Sequence, residues 1–440
     1  MKQYKTYKDS GVEWIGDIPE HWKSQDLRYS IDVLTDFTSN GSFASLAKNV
    51  NYLESGYSRL VRLTDLRVDL NNEGIYVDEN AHNFLKNSEL FGGEMLIANV
   101  GAYAGLIKIM PNLEGKYTLA PNMFLLRTNQ NLKYLFYLLS SPSCAEQLKM
   151  MAVSSAQPKL NKDNIRRVKV VIPSPKEQTQ IANYLNHKTE QLDSLIAKKE
   201  QLIQLLQEER TAMINQAVTK GLDPNVPMND SGIEWLGEIP AHWVVKKLKY
   251  ACSLISEKTK EKPDYVLALE NIQSWSNEII GNPFENKMEG DSNLFQTNDI
   301  LFNKLRPYLA KVVKATRNGG CVGELLVLRP ENELSPDFLY QRLSSEMIIT
   351  IVDGSTYGTK MPRASWDKFI SNIEIGIPPL EEQIQIASYI GSKLNDIKSI
   401  ILKYKSEIDL LKEYKTALIS EVVTGKIDVR DEVINSIEYA

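Results

Sequence analysis

One pattern in the chain spells out a hydrolytic site. Pro263, Asp264 and Tyr265, followed by Glu285, Asn286 and Lys287, read PD…ExK. In that arrangement Asp264 and Glu285 would hold a metal ion that activates water, and Lys287 would stabilise developing charge. Such chemistry needs its carboxylates on the firm edge of an apolar strand, whereas the stretch GNPFENKMEGDSN is polar and rich in turn residues. GSTYGTK, Gly354 to Lys360, resembles a phosphate loop. Its glycine spacing is wrong, however, and Met361 stands where Ser or Thr would hold magnesium. NPF, Asn282 to Phe284, lacks one proline of the NPPY/F signature of adenine methyltransferases, and no glycine-rich cofactor loop accompanies it. The four histidines, His21, His82, His187 and His242, do not cluster with cysteines at zinc spacing. The expectation is a chain with no catalytic, cofactor-binding or metal-binding residues of its own.

What the chain does contain is repetition. DSGVEWIGDIPEHW, Asp9 to Trp22, returns as DSGIEWLGEIPAHW at Asp230 to Trp243, with ten of fourteen positions identical. IPSPKEQTQIANYL, Ile172 to Leu185, answers to IPPLEEQIQIASYI, Ile377 to Ile390. Each EQ segment runs into a long helical pattern almost free of glycine and proline. Ser174, Pro175 at the first helical position and Glu177 read as a capping box opening the first helix. Gly221 and Gly425 suit the two C-terminal ends. Self-similarity of this kind decides the architecture before any local reading does.

The helices share a seam. Leu192, Ile196, Lys199, Ile203, Leu206, Arg210, Met213 and Ala217 alternate spacings of four and three. Ile397, Ile401, Tyr404, Ile408, Leu411, Lys415, Leu418 and Val422 do the same in the second. Each helix could pack only on its own globule, but a duplicated seam with polar members at corresponding heights favours packing of the two on each other. Between the repeated segments lie two divergent regions with mixed strand and helix patterns. Only faint echoes link them: EMLIANVGAYAGLIKI with DILFNKLRPYLAKVV, and RLTDL with ALENI.

The totals agree with a soluble multidomain chain. A length of 440 residues implies two or three domains. No apolar run reaches the roughly 20 residues needed to span a bilayer, and the first residues lack the apolar core of a signal peptide. Three scattered cysteines imply no disulfide framework, so a cytoplasmic protein is expected. A net charge of −5 does not announce a nucleic-acid binder. The divergent regions are close to neutral and most of the acidity lies outside them, which leaves room for local basic faces.

The order IPxHW, divergent region, IPxPxEQxxIAxYL, long helix, VTxG, all of it twice, resembles the specificity subunit of a Type I restriction-modification system over essentially the whole chain. The resemblance implies two target-recognition domains, each reading one half of a bipartite site in double-stranded DNA, and two long helices that set their separation. It also implies a non-catalytic chain that recruits two adenine-N6 methyltransferase subunits and motor-nuclease restriction subunits. S-adenosylmethionine, ATP and magnesium then belong to those partners. The fold class expected is α+β, a tandem duplication whose long helices form an antiparallel coiled coil with pseudo-two-fold symmetry. The domains expected are a lead-in at 1–22, a reader at 23–170, a helix at 171–221, a second lead-in at 222–243, a second reader at 244–374, a second helix at 375–425 and a tail at 426–440. A stand-alone nuclease and a scaffold that binds only proteins are the rival readings.

Readers of DNA need Arg or Lys for phosphates and guanine, and Asn or Gln for adenine edges. The echoed hairpin-like segments offer Asn99, Tyr103 and Lys108 in the first region and Lys304, Arg306, Tyr308 and Lys311 in the second. The ends of the regions, SSAQPKLNKDN and GSTYGTKMPRASW, add Gln157 and Lys159, then Tyr357, Lys360 and Arg363. Glycine and proline in these segments place the side chains on loops.

Overall fold

The computed structural model of the chain describes residues 2–152, 158–259, 263–276, 278–286 and 292–432. It divides into two compact units, Met1–Lys198 with Glu407–Ala440, and Lys199–Ser406. Each unit therefore contains one lead-in, one reader, and half of each long helix.

The repeated phrase makes the same hairpin in both units. Tyr7–Asp9 pairs antiparallel with Asp17–Pro19, and Met228–Asp230 with Glu238–Pro240. The DSG turn closes through side chains that bond forward to the backbone: Gly11 N donates to Asp9 Oδ1 at 2.8 Å, and Gly232 N to Asp230 Oδ1 at 2.9 Å. Trp22 and Trp243 at the end of the phrase are buried.

Each indole meets the helix that follows the reader. Trp22 Nε1 donates to Glu177 Oε1 at 3.1 Å, and His21 Nε2 lies 3.0 Å from Glu177 Oε2. In the second unit Trp243 Nε1 donates to Glu382 Oε1 at 3.2 Å, with His242 Nε2 2.7 Å from Glu382 Oε2. The first unit adds Tyr4, whose hydroxyl donates to Glu177 Oε1 at 2.7 Å. Burial and that bond hold the Tyr4 phenol well above its usual range. This changes one expectation. Ser174 Oγ does accept from the Glu177 N–H at 3.4 Å, but the Glu177 carboxylate is given to the lead-in, so the capping box is made on one side only.

The glutamine of each EQ pair fixes the reader. Gln178 Oε1 accepts from Asn131 N at 2.9 Å, where the short helix Leu132–Ser140 begins, and its amide donates to Pro173 O at 3.0 Å. Gln383 repeats this with Ser335 N at 2.7 Å, ahead of helix Pro336–Ser344, and Pro378 O at 2.8 Å. Two adjacent side chains thus bind the lead-in, the reader and the helix start together.

Each reader opens and closes through one two-stranded ribbon, Lys23–Asp26 with Lys169–Ile172 and Val244–Lys247 with Glu374–Ile377. Inside, the divergent sequences build equivalent sheets. Met123–Arg127 lies between Val33–Asp36 and Met95–Ala98, with Ile107–Ile109 at the edge, all antiparallel. Its counterpart runs Cys252–Ile255, Leu325–Pro330, Ile300–Asn303, Val312–Lys314. A second four-stranded sheet in each reader contains one parallel pair, Ser58–Val61 with Tyr117–Leu119 and Val266–Leu267 with Gly319–Cys321. A buried acid braces both: Glu94 receives Arg127 Nη2 at 3.3 Å, and Asp299 receives Arg329 at 2.8 Å through two nitrogens.

The long helices span Pro175–Lys220 and Leu380–Val423. Every seam residue is buried or half-buried, while neighbours such as Asp193, Gln201 and Lys405 are exposed. In the first unit Lys415 Nζ reaches Asp193 Oδ2 at 2.6 Å. In the second, Lys199 Nζ lies 4.9 Å from the Tyr404 ring centroid, and Arg210 Nη2 donates to Trp275 O at 2.8 Å. Ascending numbers in one helix meet descending numbers in the other, as an antiparallel pair requires: Lys199 with Tyr404, then Gly221 with Glu382. Both helices end at a left-handed glycine packed on an IP-W corner. A Cβ on Gly425 (φ +77°) would stand 2.3 Å from Pro19 and 3.2 Å from Trp22.

Two predictions follow from this packing. Removing the Glu177 carboxylate (Glu177→Ala) strands a buried indole N–H and a buried phenol, which should lower unfolding free energy by about 2–4 kcal/mol. Glu382→Ala lacks the tyrosine and opens to solvent, so about 1–2 kcal/mol is expected; equal losses in chemical denaturation would contradict the difference. Arg342 is fully buried; among the described residues its Nε and Nη2 are unbonded, Nη1 donates to Met347 Sδ at 3.9 Å, and the Trp235 ring centroid lies 5.7 Å from the guanidinium. Burial pushes it down to about 9. Leu138 holds the matching place in the first unit, so Arg342→Leu should stabilise the chain by about 1–3 kcal/mol, read as a higher denaturation midpoint.

Candidate nucleic-acid interface

The two candidate segments of each reader are hydrogen-bonded to each other across some sixty residues of sequence. In the first, Val100 bridges to Lys159, Gly101 N donates to Pro158 O at 2.9 Å, and Leu160 N donates to Asn99 O at 2.8 Å. In the second, Leu305 bridges to Arg363, Arg306 N donates to Pro362 O at 2.7 Å, and Ala364 N donates to Lys304 O at 2.9 Å. The bonds match one for one. The loop that follows Met95–Ala98 is therefore anchored by the same backbone contacts as the loop that follows Ile300–Asn303, and differs in side chains.

Not every candidate is offered to solvent. Tyr103, Lys159, Arg306, Tyr308, Tyr357 and Lys360 are exposed. Tyr103 and Tyr308 occupy the same place in the two loops and are about equally exposed, 47% and 46%. Lys304 is half-buried. Arg363 pairs with Glu324, which occupies its guanidinium. Asn99 is buried, its N–H donating to Asn122 O at 3.1 Å and its Oδ1 unbonded. Lys108 sits inside strand Ile107–Ile109 rather than on the loop before it. Lys311 is spent on the fold, since its ammonium donates to Leu269 O at 2.7 Å. Gln157 lies outside the described residues. One residue was not picked out from sequence: Arg67, whose guanidinium stacks 4.9 Å from the Tyr103 ring centroid. It directly follows the echoed RLTDL, which is the signal that could have found it.

The hydrolytic pattern does not assemble as that chemistry requires. Asp264 lines a cavity of about 470 Å³ beside Arg317, and Glu285 sits in a turn where it accepts from its own neighbour Asn282 at 2.8 Å. Lys287 lies outside the described residues. Among the described residues no group of three or more His, Cys, Asp or Glu side chains could hold a metal ion, and no helix is long and apolar enough to cross a membrane.

The sequence profile of the type I restriction modification DNA specificity domain matches residues 51–207. Along nearly its full length the chain is similar to the specificity subunit assigned to the MjaX type I restriction enzyme of Methanocaldococcus jannaschii, 26% identical over 94% of this chain and 96% of that one. Type I restriction specificity subunits are thus what the chain is similar to, in one reader by profile and along its length by relative. Two solved structures share its fold. One, from work on assembly and conformational transition of the type I R-M system, gives a TM-score of 0.65 at 15% identity, covering 93% of this chain and 99% of that one. The HsdS subunit from Thermoanaerobacter tengcongensis gives 0.54 at 16% identity, covering 93% and 98%. The profile spans most of the first reader and part of the first long helix.

Lys311 offers a check on which candidates are structural. Lys311→Met keeps the apolar stem and deletes only the bond to Leu269, so the chain should lose about 1–2 kcal/mol of stability. An unchanged denaturation midpoint would return Lys311 to the surface candidates.

Proposed function

We propose that the chain is the non-catalytic DNA-specificity subunit of a type I restriction-modification complex, each reader contacting one half of a bipartite site in double-stranded DNA. The observation that carries this reading is the loop pair: the same backbone bonds occur in both readers, and the residues displayed on them differ. A duplicated frame with two divergent displays suits a duplex, whose backbone has its own two-fold symmetry, while leaving the two half-sites free to differ. Tyr103, Lys159 and Arg67 form the first display. Arg306, Tyr308, Tyr357 and Lys360 form the second, with Lys304 at its edge.

The long helices supply a place for partner subunits. In the second unit Leu202 and Ile400, each one residue before a seam position, leave an apolar flank exposed, extended by Leu205. On the opposite flank, one residue after seam positions, stand Glu200, Lys398 and Lys405. Adenine-N6 methyltransferase subunits are the partners we assign to the apolar flank. Motor-nuclease subunits complete the complex, which works in the cytoplasm, with S-adenosylmethionine, ATP and magnesium bound by those partners.

The test is to map N6-methyladenine in DNA treated with the chain and its cognate methyltransferase subunit. A bipartite motif is expected with both present, and no methylation by the chain alone. Exchanging residues 23–170 for a relative's reader should alter one half of the motif only, because the lead-in hairpin, the EQ pair and the helix seam all lie outside the exchanged residues. Methyl transfer by the purified chain, or a motif in which both halves change, would contradict the reading.

A further inference from the structure

The two reader loops pass through the same left-handed backbone, but only one of them uses glycine there. Gly101 has φ +82° and Gly105 φ +92°. In the second reader Arg306, bonded as Gly101 is, has φ +52°, and Ala310, at the place of Gly105, has φ +47°. Glycine adopts this conformation without steric penalty, whereas a residue with a Cβ is strained in it. Arg306 is also exposed, and among the described residues its guanidinium has no hydrogen-bond or ion-pair partner. No side-chain hydrogen bond or ion pair among the described residues therefore offsets its conformation. It is imposed by the backbone around it, through the bond from Arg306 N to Pro362 O and the turn Pro307–Leu309 that follows.

Strain held in a well-braced loop points to a side chain whose direction matters. Tyr308, two residues on, is exposed, and so is Lys360, two residues before the Pro362 to which Arg306 N donates. We propose that Arg306 reads a guanine in the half-site of the second reader, its planar fork donating to O6 and N7 in the major groove, and that the strained backbone pre-aims it. Fork geometry makes this pairing the commonest base-specific contact of arginine. The first reader, with Gly101 at that position, has no side chain there and must read its half-site from other places on the loop. The inference rests on the second globule being a DNA reader, which the methylation motif of the unaltered complex tests separately.

Arg306→Gly in the full chain, assembled with its methyltransferase subunit, is the decisive variant. Relief of the strain should raise Tm by about 2–4 °C, while discrimination at one G·C position of the second half-site falls by about 5- to 150-fold. The first half-site stays unchanged. Arg306→Lys keeps charge and backbone but loses the fork, so it should relax the same position with Tm near that of the unaltered chain. Ala310→Gly should leave the motif as it is. A motif unaltered by Arg306→Gly overturns the proposal, including the case where binding weakens equally on all sequences and the salt slope falls by about 1, which marks a phosphate contact. A lower Tm for Arg306→Gly overturns the strain argument on which it stands.

Discussion

A carboxylate at the start of each long helix is the fixed point from which the rest of a unit is built. Glu177 and Glu382 each take an indole N–H and an imidazole from the preceding lead-in. The first turn of a helix favours a negative group on its own account, so the helix end and the aromatic donors act on the same charge. One residue later, Gln178 and Gln383 hold the start of the reader helix and the loop before the long helix. Neither pair can be replaced by apolar packing alone, because buried polar groups must be satisfied. Distances between lead-in, reader and helix are thereby set by hydrogen-bond lengths.

That rigidity explains how the readers can diverge so far in sequence without losing their shape. Each is suspended between a two-stranded ribbon and a clamped helix, and each keeps one internal brace, Glu94 with Arg127 or Asp299 with Arg329. Those acids also accept backbone N–H groups from the turn ahead of the strand, Phe91 and Gly92 in one reader and Gln296 in the other. The brace sits at one end of the strand whose other end carries the display loop. Side chains on the loop can change while the strand that aims it does not.

The frame was legible in the sequence because packing dictates it. Trp22, Trp243, the EQ pairs and the alternating seam recur since both units must satisfy the same buried contacts. The display was legible only in part. The place proposed for it rests on the echoed segments, but whether a given side chain faces water is decided by residues far away in the chain. Lys311 is claimed by the Leu269 carbonyl and Asn99 is covered beside Asn122. Neither partner is signalled by local spacing. The misread half of the capping box has the same origin: Glu177 has donors in Tyr4 and Trp22, which no local motif could include.

The first unit is assembled from both ends of the chain, and this has a temporal side. Leu418, Val422, Val423, Ile427 and Val429 belong to the same apolar core as Tyr4, Trp22 and Ile181, and Asp428 N donates to Lys2 O at 2.9 Å. The second unit, by contrast, is one unbroken stretch, 199–406. A ribosome working at roughly 5–20 residues per second needs about 10–40 s to pass through that stretch. At its end the second unit is complete, whereas the core of the first still waits for Leu418 to Val429. The unit begun first is therefore finished last, and Tyr4 and Trp22 wait longest for their packing partners.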